Sequence, residues 1–132
     1  MRVGWPSWSL DVSDEWSVTK HEECLSLALS DGGALQASSA RKEQGAVTQR
    51  DLLWSEAERA SWGEWKPVRC GEFTGIFYEY VQEAAVWRRW YLRSGPVLLF
   101  ITYNGTFEAA AREWEPVLSI LSTARLEGSR AA

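Results

Sequence analysis

FTGIFYEYVQEAAVWRRWYLRSGPVLLFITYN, residues 73–104, decides how this chain folds. It contains three runs of β-branched and aromatic residues, the types that suit a pleated surface. Two short breaks, Glu83-Ala84 and Ser94-Gly95, separate them. Breaks this short join antiparallel neighbours. A two-residue loop at Ser94-Gly95 sets Arg93 opposite Pro96, Leu92 opposite Val97, Trp90 opposite Leu99 and Arg88 opposite Ile101. A loop at Glu83-Ala84 pairs Val81 with Val86, Glu79 with Arg88 and Phe77 with Trp90.

Side chains alternate across a strand, so this register sorts them into two sets. One face carries Phe77, Val81, Val86, Trp90, Leu92, Val97, Leu99 and Ile101. Its only charges, Glu79 and Arg88, stand opposite each other and can pair. That is a core face. The other carries Ile76, Tyr78, Tyr80, Trp87, Arg89, Tyr91, Arg93, Leu98 and Phe100. A slip of one residue would mix the two sets, so the clean sorting supports the alignment. The third run, VLLFITY, is apolar on both sides and belongs at the centre of a sheet covered twice. Two readings of the aromatic-arginine face stay open. Either a helix covers it, or it is a patch of the Tyr, Trp and Arg types enriched in interface hot spots.

Upstream, Trp8 to Val12 alternates and reads as a first strand. Trp16 to Lys20 continues extended or in a short turn. Cys24 to Leu29 is a strand with Leu25, Leu27 and Leu29 on one face. Ser30-Asp31-Gly32-Gly33 is a hairpin signal, and Ala34 to Ala40 pairs back. Thr48 opens a helix over 48–62, with Asp51 at the third position of a capping box and Gly63 as its stop. Leu52, Leu53, Ala57 and Ala60 form its apolar stripe, flanked by Trp54 and Trp62. Residues 64–71 lead into the central stretch. Thr106 caps a last helix in which Phe107, Ala110, Ala111, Trp114, Leu118 and Leu121 keep helical spacing. Pro116 predicts a kink or two abutting helices. The expected order is β-β-β-α-β-β-β-α, an α+β fold with a mostly antiparallel sheet of about six strands and two or more helices. Residues 1–127 form one domain and 128–132 a frayed tail.

The chain has 132 residues, 45% hydrophobic and 24% charged, enough for a core without metal or disulfide support. No run approaches a membrane span, and the first residues lack a signal-peptide pattern, so a cytoplasmic location is expected. The net charge of −4 disfavours nucleic acid, and only Lys20, Lys42 and Lys66 are lysines. An acidic chain can still meet a basic protein partner. Nine tryptophans are more than one core this size easily hides, and Trp is enriched at interfaces.

Catalytic patterns are missing. His21 is the only histidine. It reads as an exposed loop residue, with no partnered nucleophile flagged near it. Cys24 and Cys70 read as free thiols acting as small hydrophobes. No cofactor or metal is expected, since one His and two distant Cys make no ligand cluster.

The segments W-S-L-D-V-S-D-E-W from Trp8, Ala34-Leu35-Gln36-Ala37-Ser38 after an Asp-Gly-Gly turn, and Trp90-Tyr91-Leu92 with Ile101-Thr102-Tyr103-Asn104 together resemble the PsbP-like proteins. That group includes the photosystem PsbP subunit, a yeast Ran-binding import factor and bacterial DcrB-like proteins. The resemblance implies an antiparallel sheet between helices and roles in binding or assembly without catalysis. Some bacterial relatives act as chaperones or adaptors around secretion effectors. No family site carries over residue by residue.

These readings converge on a non-enzymatic protein-binding module, of the toxin-immunity or effector-chaperone kind. Its expected contacts are Tyr78, Tyr80, Trp87, Arg89, Tyr91 and Arg93. A second candidate interface is the N-terminal edge with Trp5 and Trp8. The alternative is a small-molecule-binding protein with an aromatic pocket between sheet and helix. A homodimer through the aromatic face is a third expectation.

Overall fold

The computed structural model describes residues 1–29, 32–53 and 62–128. Ten strands and two helices follow one another as β1 Arg2–Trp5, β2 Trp8–Asp11, β3 Ser17–Lys20, β4 Cys24–Ala28, β5 Ala34–Arg41, α1 Gln49–Leu53, β6 Lys66–Cys70, β7 Phe73–Gln82, β8 Ala85–Ser94, β9 Val97–Gly105, α2 Phe107–Leu121 and β10 Arg125–Leu126. Seven strands make one antiparallel sheet in the order β3-β4-β5-β9-β8-β7-β6. β1, β2 and β10 make a second, three-stranded sheet. The fold is α+β and mostly antiparallel, as expected.

β9 is the middle strand of the seven, as its two apolar sides require. The β7–β8 register is the expected one, with Val81 opposite Val86, Glu79 opposite Arg88 and Phe77 opposite Trp90. Glu83 and Ala84 both take positive φ, 53° and 62°, so this two-residue turn has the twist a tight hairpin needs.

The β8–β9 turn differs from expectation. Its central residues are Gly95-Pro96, not Ser94-Gly95, because Ser94 pairs with Val97. Leu92 therefore faces Leu99, Trp90 faces Ile101 and Arg88 faces Tyr103. Gly95 supplies the positive φ (53°), and Pro96, locked by its ring, fits the next position. The pairing moves by two residues, and an even shift leaves every side chain on its expected face.

Trp90, Leu92, Val97, Leu99, Ile101 and Tyr103 are buried together with Trp8, Leu10 and Val12 of the N-terminal segment and with Val117, Ile120 and Leu121 of α2. The small sheet and α2 thus cover one face of the large sheet. Val81 is an exception to the predicted core, at 59% exposed, because the β7–β8 tip projects past the covering layer.

α2 starts as expected, with the Thr106 hydroxyl accepting from Ala109 N–H. It runs through Pro116 as one element rather than two abutting helices. Its inward stripe is Ala109, Ala110, Glu113, Val117, Ile120 and Leu121, so Phe107 and Ala111 face outward. The predicted stripe was rotated because it left Glu113 out, and Glu113 has buried partners.

Four strands go beyond the expected six: β3, read as extended or in a short turn, pairs with β4, and β1, β6 and β10 are new. β1 and β10 flank β2, through Trp5 opposite Trp8 and Leu126 opposite Trp8. β6 pairs with β7, and its Pro67 is tolerated because β6 is the sheet edge. α1 carries the predicted capping box. Thr48 N–H donates to Asp51 Oδ2 (2.8 Å), and Asp51 N–H donates to Thr48 Oγ1 (3.3 Å). The rest of the predicted first helix, with Trp54, Ala57 and Ala60, lies outside the described residues, as do Ser30-Asp31 of the first hairpin signal and residues 129–132 of the predicted tail. No helix among the described residues is long and apolar enough to cross a membrane.

Candidate functional site

The second face of the large sheet is neither fully covered nor fully open. At one end Val47 and Leu52 bury Ile76 and Tyr78, with Leu53, Trp62, Trp65, Tyr91 and Leu98 around them. Among the described residues this cover does not extend to the β7–β8 turn. There Trp62, Tyr80 and Trp87 stand as parallel rings, Trp62 to Tyr80 at 5.2 Å and 3°, Tyr80 to Trp87 at 6.3 Å and 6°. The alternation of β7 and β8 produces half of this ladder, since Tyr80 and Trp87 are direct cross-strand partners. Trp62 adds the third ring from the approach to β6.

Arg89 ties the ladder together. Its Nε donates to the Tyr80 hydroxyl (2.8 Å). Its guanidinium carbon lies 4.5 Å from the Trp62 ring centre, 5.3 Å from that of Trp87 and 5.9 Å from that of Tyr80. The rings and the cation fix one another's rotamers at modest gain, about 0.5–1 kcal/mol for an exposed cation–π contact.

The six expected contact residues therefore divide. Tyr80, Trp87 and Arg89 form the ladder and are half-buried. Tyr78 is a correction. It is 1% exposed, with Trp62 edge-on above it at 5.5 Å, so it supports the ladder from below and presents nothing to a partner. Tyr91 sits edge-on between Tyr78 and Phe100. Arg93 lies at the covered end, where its Nη1 donates to Val47 O (3.5 Å). Trp62 was missed as a member because sequence spacing placed it only on the flank of a helix.

The second candidate interface also divides. Trp8 is fully buried, while the half-buried Trp5 stacks on it at 6.0 Å and carries Lys20 Nζ 4.4 Å above its ring. Trp8 is core, and Trp5 is the only one of the pair with exposed surface.

Polar chemistry on the opposite face is structural. Arg88, 8% exposed, donates from Nε to Glu79 Oε2 (2.7 Å) and from Nη1 to Ala110 O (2.8 Å), beneath the Trp114 ring at 4.5 Å. This bolts β8 to α2. Glu113, 1% exposed, accepts from the Tyr103 hydroxyl (2.6 Å) and Gly33 N–H (2.7 Å). Its other oxygen abuts Gly32, where any Cβ would collide with it. Burial, and then the Glu113 carboxylate, hold the Tyr103 phenol well above its ordinary range. Glu113 was legible as the one charge among Ala110, Val117 and Ile120 at helical spacing.

Both cysteines are free thiols, as expected. Burial pushes Cys70 up to about 12, which keeps it a thiol at neutral pH. His21 is exposed, with Nε2 3.1 Å from Ser26 Oγ. Two hollows in the surface differ in their relation to the ladder, since Tyr80 lines the second. One of about 400 Å³ is lined by Val12, Trp16, Pro116 and Ile120. Another, of about 310 Å³, lies between the β7–β8 tip and the start of α2, lined by Val81, Val86, Arg88 and Phe107.

No protein-family model matches the chain, and no curated protein matches it significantly. Solved structures do. A crystal structure of a protein from Bacteroides thetaiotaomicron superposes with a TM-score of 0.69 at 13% identity, over 93% of this chain and 46% of that one. The chain thus spans less than half the length of that protein. The solution structure of PsbP from the cyanobacterium Synechocystis also matches, with a TM-score of 0.42 at 9% identity, over 94% of this chain and 95% of that one. At these identities a match speaks to fold alone.

Proposed function

We propose that this chain is a small, non-enzymatic protein-binding module that engages a cognate partner through the Trp62–Tyr80–Trp87–Arg89 ladder. An immunity protein or effector chaperone is the kind of role that suits it. The observation that carries this reading is the ladder itself: aromatic and arginine groups, half-exposed, already ordered by one another. Groups ordered before binding lose less entropy on association, and these residue types supply most interface hot spots. The charge of −4 favours a basic partner through association rate.

The test compares wild type with Trp87→Ala/Arg89→Ala as bait in extracts of the source cell. A partner held by the wild type and lost with the double variant is expected, with the thermal midpoint within a few degrees. A folded double variant that captures the same partners equally well overturns the reading.

A further inference from the structure

The long strand β7 is paired with β8 from Thr74 to Gln82 but only in its first half with β6. β6 reaches from Cys70, opposite Phe73, to Lys66, opposite Phe77. β7 continues to Gln82. Among the described residues, no strand pairs with 79–82 on that side.

The β7–β8 turn says which backbone groups are bare. A two-residue hairpin closes on a hydrogen-bonded pair, here Gln82 with Ala85. Bonded pairs recur every second residue, so Tyr80 and Tyr78 also direct their N–H and C=O groups at β8. Phe77, Glu79 and Val81 direct theirs the other way. Pro67 checks this parity. It stands opposite Ile76, where no N–H is needed if Ile76 is bonded to β8 instead. Phe77 meets Lys66, whereas among the described residues the outward N–H and C=O of Glu79 and Val81 have no strand opposite them.

The neighbouring side chains differ from those of a guarded edge. β6 carries Lys66, Pro67 and Arg69, the devices that stop a sheet from accepting another strand. The overhang has no Lys, Arg or Pro, and its one charge, Glu79, is already bonded to Arg88. Val81 is 59% exposed, and with Phe107, 58% exposed, it borders the apolar hollow of about 310 Å³. The Glu79 side chain, bonded to Arg88, keeps half its surface in solvent. On the other face Trp62 already covers the place beside Tyr80.

We infer that 79–82 is a strand-addition site for an extended segment of the partner polypeptide. This rests on the protein-binding reading and names how the partner is held. Unpaired backbone donors and acceptors at strand spacing specify an extended chain. Cross-strand neighbours then specify its side chains. In the antiparallel sense that continues β6, the residue opposite Val81 is apolar and fills the hollow beside Phe107. The next lies under Trp62 and is small. The third, opposite Glu79, is basic. The motif reads apolar, small, basic from N- to C-terminus.

The probe is the synthetic peptide Ser-Thr-Ile-Gly-Lys-Thr-Ser, titrated against the ¹⁵N-labelled full chain by NMR. Saturating shifts and slowed hydrogen exchange are expected at the amides of Glu79 and Val81, with Tyr80 and Gln82 already slow in the free protein. A peptide N-methylated at its Ile and Lys amides should bind about tenfold or more weakly, having lost donors that face β7. Val81→Pro should have a similar effect, since the N–H it removes points outward. The methylated peptide keeps the test decisive on wild-type protein should that variant not fold. Each of these results overturns the inference: no shift at these amides up to about 2 mM peptide; equal binding of the methylated peptide; equal binding to folded Val81→Pro; or protection of the same amides by self-association without peptide. A natural partner lost with Trp87→Ala/Arg89→Ala but kept by folded Val81→Pro overturns strand addition and leaves the protein-binding reading standing.

Discussion

Arg88 and Arg89 are neighbours in sequence with opposite fates. Both lie on β8, and alternation sends them to opposite faces. Arg88 is buried with a carboxylate and a helix carbonyl as partners. Arg89 is half-exposed among three rings and a phenol hydroxyl. The first face has a helix and a second sheet over it, so a cation there must be matched by an anion and by hydrogen bonds. Among the described residues the second has cover only at one end, so its cation can stay near water and use soft aromatic contacts. One guanidinium serves the fold, and the other stays half in solvent.

The comparison breaks most sharply if Arg88 is removed. Arg88→Ala leaves Ala110 O without its donor and Glu79 without its cation. Breaking a fully buried pair costs about 3–5 kcal/mol. Because the Glu79 side chain is half in solvent, about 2–3 kcal/mol is expected here, read by urea denaturation. Little loss would show that Arg88 is no more structural than its neighbour.

Glu113→Ala comes next. It strands the Tyr103 hydroxyl and Gly33 N–H, and an unsatisfied buried group costs about 1–3 kcal/mol. A double-mutant cycle with Tyr103→Phe should show coupling of about 0.5 kcal/mol or more. Additive effects would place the Glu113 contribution elsewhere.

Arg89→Ala should cost only about 0.5–1 kcal/mol, the scale of its cation–π contacts. A loss as large as that of Arg88→Ala would erase the distinction between the faces and leave the ladder a structural feature.

The smallest effect is at the covered end of the second face. The Thr48 backbone N–H, and then the Lys42 side chain, hold the Asp51 carboxyl below its ordinary value of 3.8. A lowered folded-state pKa stabilises above the unfolded value, and the gain disappears as pH falls through the folded one. The Thr48 amide resonance should therefore move only below about pH 4. Asp51→Asn should remove that movement while leaving the ladder resonances unchanged.

Much of this was legible from residues 73–104. A period of two separates apolar from aromatic side chains, and a turn of two residues sets which residues face one another. The Glu79–Arg88 pair, the central place of β9 and the capping box at Thr48 followed from such local rules. The misplaced β8–β9 turn did no harm to the faces, because its error was even. Less accessible were β1, β6 and β10. Four, five and two residues, one of them a proline, carry too little periodicity to announce a strand. Their partners, distant in sequence, make them strands.

By itself the sequence determined the alternation, the hairpins and the identity of the two faces, because those depend on neighbours along the chain. It could not settle how much of the aromatic face is covered, whether Glu113 points inward, or where β6 stops along β7. Each depends on which distant segment arrives: Val47 and Leu52 over Ile76 and Tyr78, Gly33 and Tyr103 around Glu113, Lys66 beside Phe77. Burial and edge pairing are long-range properties, and only the folded chain decides them.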